Sequence, residues 1–242
     1  MKPHILCLVL AATVALHVQD GYAQQSWTAS DGRVTMAKFI ELTEDFVVIE
    51  KDGTPFAVPL AKLSPESTEL AKKLGTEAAA EEADLGAKVM RFCQSNLGKK
   101  VGEGHCAALA SKSLAAAGAT GMARKHSPGP EDYVWGREVA LIEGGPKYVK
   151  GLEMLVRVKP GDMIQFRGAR LEGVRHDGRR GTYWYRFDHH SAVVEGVDAA
   201  QGILKVFHQN SGGRQFVIQD TFHLADLVKD WLRFYRPQAP KK

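Results

Sequence analysis

The sequence predicts an α+β protein in two parts: a small β-barrel, then a domain whose helices precede an antiparallel sheet. Three observations predict it. Short apolar runs separated by turn residues fill the chain between Trp27 and Leu60. An alanine-rich, helix-forming stretch follows. From about Tyr133 onward, apolar residues alternate or run in short blocks between Gly, Pro and Asp, ending at Tyr235-Arg236-Pro237.

Residues 1–23 read as a leader and not as part of the fold. Lys2 precedes the apolar run Ile5–Leu16, and Gly21-Tyr22-Ala23 supplies small residues for cleavage after Ala23. The run is short for a bilayer span, and no later segment is long and apolar enough to be one. The expectation is an exported protein, periplasmic or extracellular, with no transmembrane segment after processing. The formal net charge of +4 is mild for 242 residues, which argues against a dedicated nucleic-acid partner.

Residues 24–74 are expected to form the first module. Trp27-Thr28 opens it, and Asp31-Gly32 marks a turn. Ala37–Leu42 and Phe46–Glu50 read as strands, Asp52-Gly53 as a hairpin turn, and Phe56–Leu60 as a further strand. Leu63-Ser64-Pro65-Glu66 starts a short helix ending near Leu74, with Pro65 in its first turn. Short strands with one helical turn describe an SH3-like barrel. On Trp27-Thr28, Asp31-Gly32, Val47-Val48-Ile49, Lys51-Asp52-Gly53, Val58-Pro59-Leu60 and Leu63-Ser64, the module resembles the first Sla homology domain. That resemblance implies an adaptor whose partner is a short peptide or a protein.

Residues 75–86 are rich in Ala and Glu and read as a helical or semi-rigid linker. The second domain is expected over 87–237, with 238–242 as a tail. Leu85, Val89 and Phe92 form the stripe of an amphipathic helix that Gly98 would cap, and a second helix starts at Cys106 and ends at Gly118. Strands are expected at Tyr133–Gly136, Met163–Phe166, Ser191–Gly196, Ile203–Asn210, Phe216–Ile218 and Leu232–Pro237.

Cys106 stands in Gly102-Glu103-Gly104-His105-Cys106, directly before the helix-forming run. A cysteine there meets unpaired N–H groups and the positive end of the helix dipole, both of which favour thiolate. Gly104 and His105 belong to a tight approach loop beside it. A thiol nucleophile needs a base in reach and a group to orient the base. Asp188-His189-His190-Ser191 opens an apolar strand, whose alternation puts His190 with Ala192 and Val194 and His189 with Ser191 and Val193. His190 is the expected base, and His189 a rim residue that binds substrate. His208 and Asn210 would share one face of the next strand, so either can hold the imidazole.

With Tyr133-Val134-Trp135-Gly136, Pro160-Gly161-Asp162 and His208-Gln209-Asn210, this order resembles the NlpC and CHAP group of papain-like proteins. It resembles more closely the cysteine-proteinase-like C-terminal domain of fungal actin-patch proteins. The resemblance implies a papain-like domain with a helical first half and an antiparallel sheet. In it Cys106 would be nucleophile, His190 base, and His208 or Asn210 the third member. It also implies amide cleavage, with cell-wall peptide as the substrate class. The alternative it carries is a catalytically inactive scaffold or binding module.

Arg167–Arg186 reads as a long arginine-rich loop ending in Tyr183-Trp184-Tyr185. It is either a solvated insertion or a wall that meets substrate, with Trp184 and Trp135 as contact residues. No metal or cofactor is expected: His176, His189, His190 and His208 lack ligand spacing, and no Cys-x-x-Cys occurs. A Cys93–Cys106 disulfide is the competing structural reading.

Overall fold

The computed structural model describes residues 23–125, 132–175 and 179–240. The leader up to Tyr22 and His176 lie outside them. The first part is an antiparallel meander of β1 (Gln24–Thr28), β2 (Val34–Leu42), β3 (Phe46–Lys51) and β4 (Thr54–Pro59), adjacent in chain order. Strand alternation puts Trp27, Ala37, Phe39, Val47 and Ile49 on one buried face. Trp27 Nε1–H donates to the carbonyl of Ala37 at 3.1 Å, so the indole is buried without an orphan donor. Asp52 and Gly53 both hold positive φ, 51° and 76°, which a two-residue hairpin turn with matching twist demands. The end of β1 is bridged to the segment after β4, Ala29 opposite Leu63.

A single helix, α1 (Pro65–Ser95), replaces the expected short helix, linker and second helix. Ser64 caps it by accepting the N–H of Ser67 at 3.2 Å, with Pro65 at the first position. The two glycines that bound the expected linker, Gly75 and Gly86, lie inside the helix as sites of close approach. A Cβ on Gly75 would lie 2.7 Å from a Leu42 methyl, and one on Gly86 would lie 2.9 Å from the carbonyl oxygen of Pro160. The Ala- and Glu-rich stretch between them has high helix propensity and carries the helix through. α1 ends at Ser95 with Asn96 as cap, ahead of Gly98.

α2 (Cys106–Ala117) follows and stops at Gly118, whose φ is 74°. Beyond it come a two-stranded ribbon, β5 (Ala123–Lys125) and β6 (Asp132–Val134), and then β7 (Arg137–Gly144), β8 (Met163–Val174), β9 (Thr182–Asp198), β10 (Ile203–His208), β11 (Ile218–His223) and β12 (Leu227–Arg236). The last six form an antiparallel sheet in the order β11-β10-β9-β8-β12-β7. β7 was not anticipated.

Where a long loop was expected, Arg167–Val174 and Thr182–Arg186 are strand. β8 and β9 pair antiparallel out to Val174 opposite Thr182. The alternation there puts Tyr183, Tyr185 and Phe187 against the core and turns Trp184 and Arg186 outward. The outward charges disguise an ordinary half-buried strand pattern.

The sheet divides the domain core in two. On one face Met163, Val193, Phe207 and Tyr235 pack with Leu85 and Val89 of α1 and Leu109 and Leu114 of α2. The other face carries Ile164, Phe166, Ala192, Val194, Val206, Phe222 and Phe234. Each such aliphatic or aromatic side chain contributes about 1.5–3 kcal/mol on burial.

A charged network ties the parts together. Arg236 holds Asp162 with two bonds of 3.0 Å and gives a further N–H to the carbonyl of Arg157. Glu82 of α1 meets Arg236 at 3.4 Å and Arg137 at 2.6 Å, and Arg137 reaches Glu41 of β2 at 3.4 Å. Among the described residues no helix is long and apolar enough to cross a membrane.

Candidate active site

The loop before Cys106 is held by a residue the sequence reading passed over. The buried amide of Gln209 donates to the carbonyls of Val101 (2.9 Å) and His105 (2.7 Å), and accepts the N–H of Val101 at 3.2 Å. These bonds satisfy the amide and pin both ends of the loop. Gly104 sits inside it at φ 86°, where a Cβ would lie 2.9–3.0 Å from side-chain atoms of Lys100 and Gln215. His105 is the helix N-cap, yet its side chain makes no cap bond. The loop thus places Cys106, half-buried, at the first residue of α2.

The sulfur lies against β9. Val194 exchanges backbone bonds with Gly161 and Asp162 on the β8 side, so alternation aims the N–H of Ser191 the other way, toward β10. Ladder pairing with β10 ends at Phe207 opposite Val193, and the N–H of Ser191 bonds the Cys106 sulfur instead. The N–H groups of Ala107 and Cys106 also face that sulfur. Burial is nevertheless the largest influence and pushes the thiol up, which the three N–H groups offset in part. The helix start therefore does not yield a resting thiolate, as its dipole alone suggests.

His190 precedes Ser191 and pairs with Phe166. Its ring stacks on Phe187 at 4.8 Å and meets Phe166 edge-on at 5.7 Å. Gln165, fully buried, fixes the backbone here: its amide N–H groups reach the carbonyls of Phe166 (2.9 Å) and His190 (3.1 Å). Its oxygen faces the Trp135 indole N–H at 3.4 Å and the Ser191 hydroxyl at 3.3 Å. His190 Nε2 is 2.9 Å from His208 Nδ1, and His208 Nε2 is 2.9 Å from Asp220 Oδ2. Burial, then His208 and His189, lower His190 from 6.5 to about 3, so the imidazole rests neutral.

The structure thus pairs His190 with His208, sets the Cys106 sulfur on the backbone N–H of the next residue, Ser191, and leaves Asn210 outside this group. β10 ends at His208, and Asn210 turns at φ 61° in a tight turn closed to Arg214, with its side chain exposed. The period of two that put Asn210 beside His208 stops one residue too soon. Trp135 is fully buried, so it is a core residue and not a substrate contact. His189 is half-buried, tilted against Tyr133 at 4.8 Å. Trp184 is 71% exposed, well out on the β8–β9 hairpin.

Asp220 was missed because the strand was expected at Phe216–Ile218, two residues early. The alternation of Ile218, Asp220 and Phe222 with polar neighbours was the available signal.

Both cysteines are free thiols. Cys93 is buried in the core, which pushes its thiol to about 12 against a bond from Ser113. Among the described residues no three His, Cys, Asp or Glu side chains converge as metal ligands would.

A cysteine opening a helix that packs on an antiparallel sheet, with a histidine pair on neighbouring strands, is the plan of a papain-like cysteine-proteinase fold. The chain belongs to the AIM3/BBC1 cysteine proteinase-fold domain family, whose model matches residues 72–241. No curated protein matches the sequence. Among solved structures it is similar to "The crystal structure of Ly7917 with the hydrolyzing product of MDP", at 17% identity and a TM-score of 0.36. That similarity covers 63% of this chain and 62%, under two thirds, of the other, too slight a likeness to bear on fold or activity.

Proposed function

We propose that this chain is an exported thiol hydrolase of amide bonds, with bacterial wall peptide as its substrate class. The single observation that carries the reading is the Cys106–His190–His208 arrangement. The sulfur rests on the N–H of the residue after His190, and the Nε2 of His190 is engaged by His208. Nδ1 of His190 is then the nitrogen left to take the thiol proton. The sulfur attacks the amide carbonyl, and the N–H of Cys106 at the helix start meets the developing oxyanion. The amine leaves with the proton held by His190, and water then hydrolyses the thioester. With the thiol raised and the imidazole lowered, the resting pair is uncharged, and His190 acts as general base during attack rather than as one half of a standing ion pair.

The N-terminal sheet completes the proposal as an SH3-like adaptor of the first Sla homology type, recruiting a short peptide or a protein. Residues 1–23 are the leader that exports the chain.

The same two shifts support a second reading. A thiol raised by burial together with a histidine only 4% exposed is also what a scaffold that has lost turnover would show. Incubating the purified protein with wall-peptide fragments and following amine release by mass spectrometry decides between them. The hydrolase reading expects products from wild type and none from Cys106→Ser or His190→Gln. Absence of Cys106-dependent products from folded wild type leaves the scaffold.

A further inference from the structure

His208 is fully buried between two partners, His190 on β9 and Asp220 on β11. β10 and β11 pair with Val206 opposite Asp220, which puts the carboxyl on the face that carries Val206 and, two residues on, His208. The order Asp220–His208–His190 is therefore built by register and does not depend on a loop.

We propose that Asp220 is a positioning residue that sets the tautomer of both histidines and so decides which nitrogen of His190 carries the lone pair. A neutral imidazole has one N–H and one acceptor nitrogen, and the bond made by either fixes the other. A carboxylate only accepts. His208 therefore carries its proton on Nε2, toward Asp220, and presents Nδ1 as an acceptor. The contact between His208 Nδ1 and His190 Nε2 then has one solution: His190 donates from Nε2. The lone pair of His190 falls on Nδ1, the nitrogen a thiol proton would need. Without the carboxylate the opposite chain is equally allowed. His208 would donate from Nδ1 to His190 Nε2, His190 would carry its proton on Nδ1, and no base would remain.

The catalytic meaning of this order rests on the hydrolase reading. The tautomers themselves do not, and they are measurable without substrate. The test is long-range proton–nitrogen NMR on the full chain with nitrogen-15 histidine at neutral pH, His190 and His208 being assigned from His190→Gln and His208→Gln. Wild type is expected to show both rings protonated on Nε2. Asp220→Asn keeps an acceptor oxygen and is expected to retain that pattern. Asp220→Ala is expected to let the opposite tautomer appear, with protons partly on Nδ1 of both rings.

If turnover exists, Asp220→Ala lowers kcat on the order of tenfold to a hundredfold with KM held, and Asp220→Asn restores most of it. Unchanged tautomers in folded Asp220→Ala overturn the proposal. A wild-type His208 protonated on Nδ1 overturns it too, even where Asp220→Ala fails to fold. Expected tautomers without Cys106-dependent cleavage leave the proposal standing and end the hydrolase reading instead.

Discussion

Acid should unfold this protein partly through His190, and His190→Gln should remove that part. The folded ring is lowered from 6.5 to about 3, chiefly by burial. Between those values the unfolded chain binds a proton at this site and the folded chain does not, so stability falls as pH falls through the window. The full shift corresponds to at most about 5 kcal/mol, at 1.36 kcal/mol per unit. On going from about pH 7 to about pH 4.5, only the two units below 6.5 count, which gives about 2.7 kcal/mol. Glutamine keeps an N–H for His208 Nδ1 and does not titrate. Urea unfolding of wild type and His190→Gln at both pH values isolates the term, because every other group is common to the pair. Wild type should lose about 2.7 kcal/mol more than the variant, close to 1 M in urea midpoint for a slope of about 2–3 kcal/mol per molar. Parallel losses within about 0.5 kcal/mol would show that the ring protonates freely in the folded protein, and the neutral buried pair would be wrong.

Three further outcomes are expected. In protein carrying Cys93→Ser, alkylation of Cys106 by iodoacetamide should accelerate only above about pH 8.5, since burial raises the thiol; a plateau below about pH 7 refutes that. Arg236→Met leaves Asp162 buried without its doubly bonded partner and should cost about 3–5 kcal/mol in chemical unfolding. Adding Asp162→Asn to that variant should recover part of the loss, and no recovery would place the cost elsewhere. Gly104→Ala forces a side chain onto a left-handed backbone against Lys100 and Gln215. It should cost about 1–3 kcal/mol and speed proteolysis of the 101–105 loop, whereas wild-type resistance to cleavage would mean the loop relaxes freely.

The site was legible where chemistry and local geometry coincide. Cysteine opening a helix is visible in one dimension, and strand alternation separates His190 from His189 without coordinates. Alternation failed at Asn210 because the strand stops at His208, a boundary set by the turn to Arg214 and not by any change in apolar pattern. Asp220 and Gln209 act through partners distant in sequence, and a lone acid or amide in a strand carries no mark of that. The continuity of α1 was missed because its Ala- and Glu-rich middle reads equally as linker, and the packing of Gly75 on Leu42 and Gly86 on Pro160 that holds it in place is made by residues distant in sequence. Arginines hid the β8–β9 hairpin, since outward charge on a strand reads like loop until the inward Tyr183, Tyr185 and Phe187 are counted with it.

α1 is a member of two cores at once. Ala71 and Leu74 lie under the N-terminal sheet, while Leu85, Val89 and Cys93, farther along the same rod, lie against α2 and the large sheet. At about 1.5 Å per residue the rod is about 46 Å long with no break in it. Two modules joined by a flexible tether exchange nothing but proximity, whereas two modules threaded on one shaft exchange torque. A twist applied to the shaft at the small sheet must be absorbed at its far end, against the helix whose first residue is Cys106.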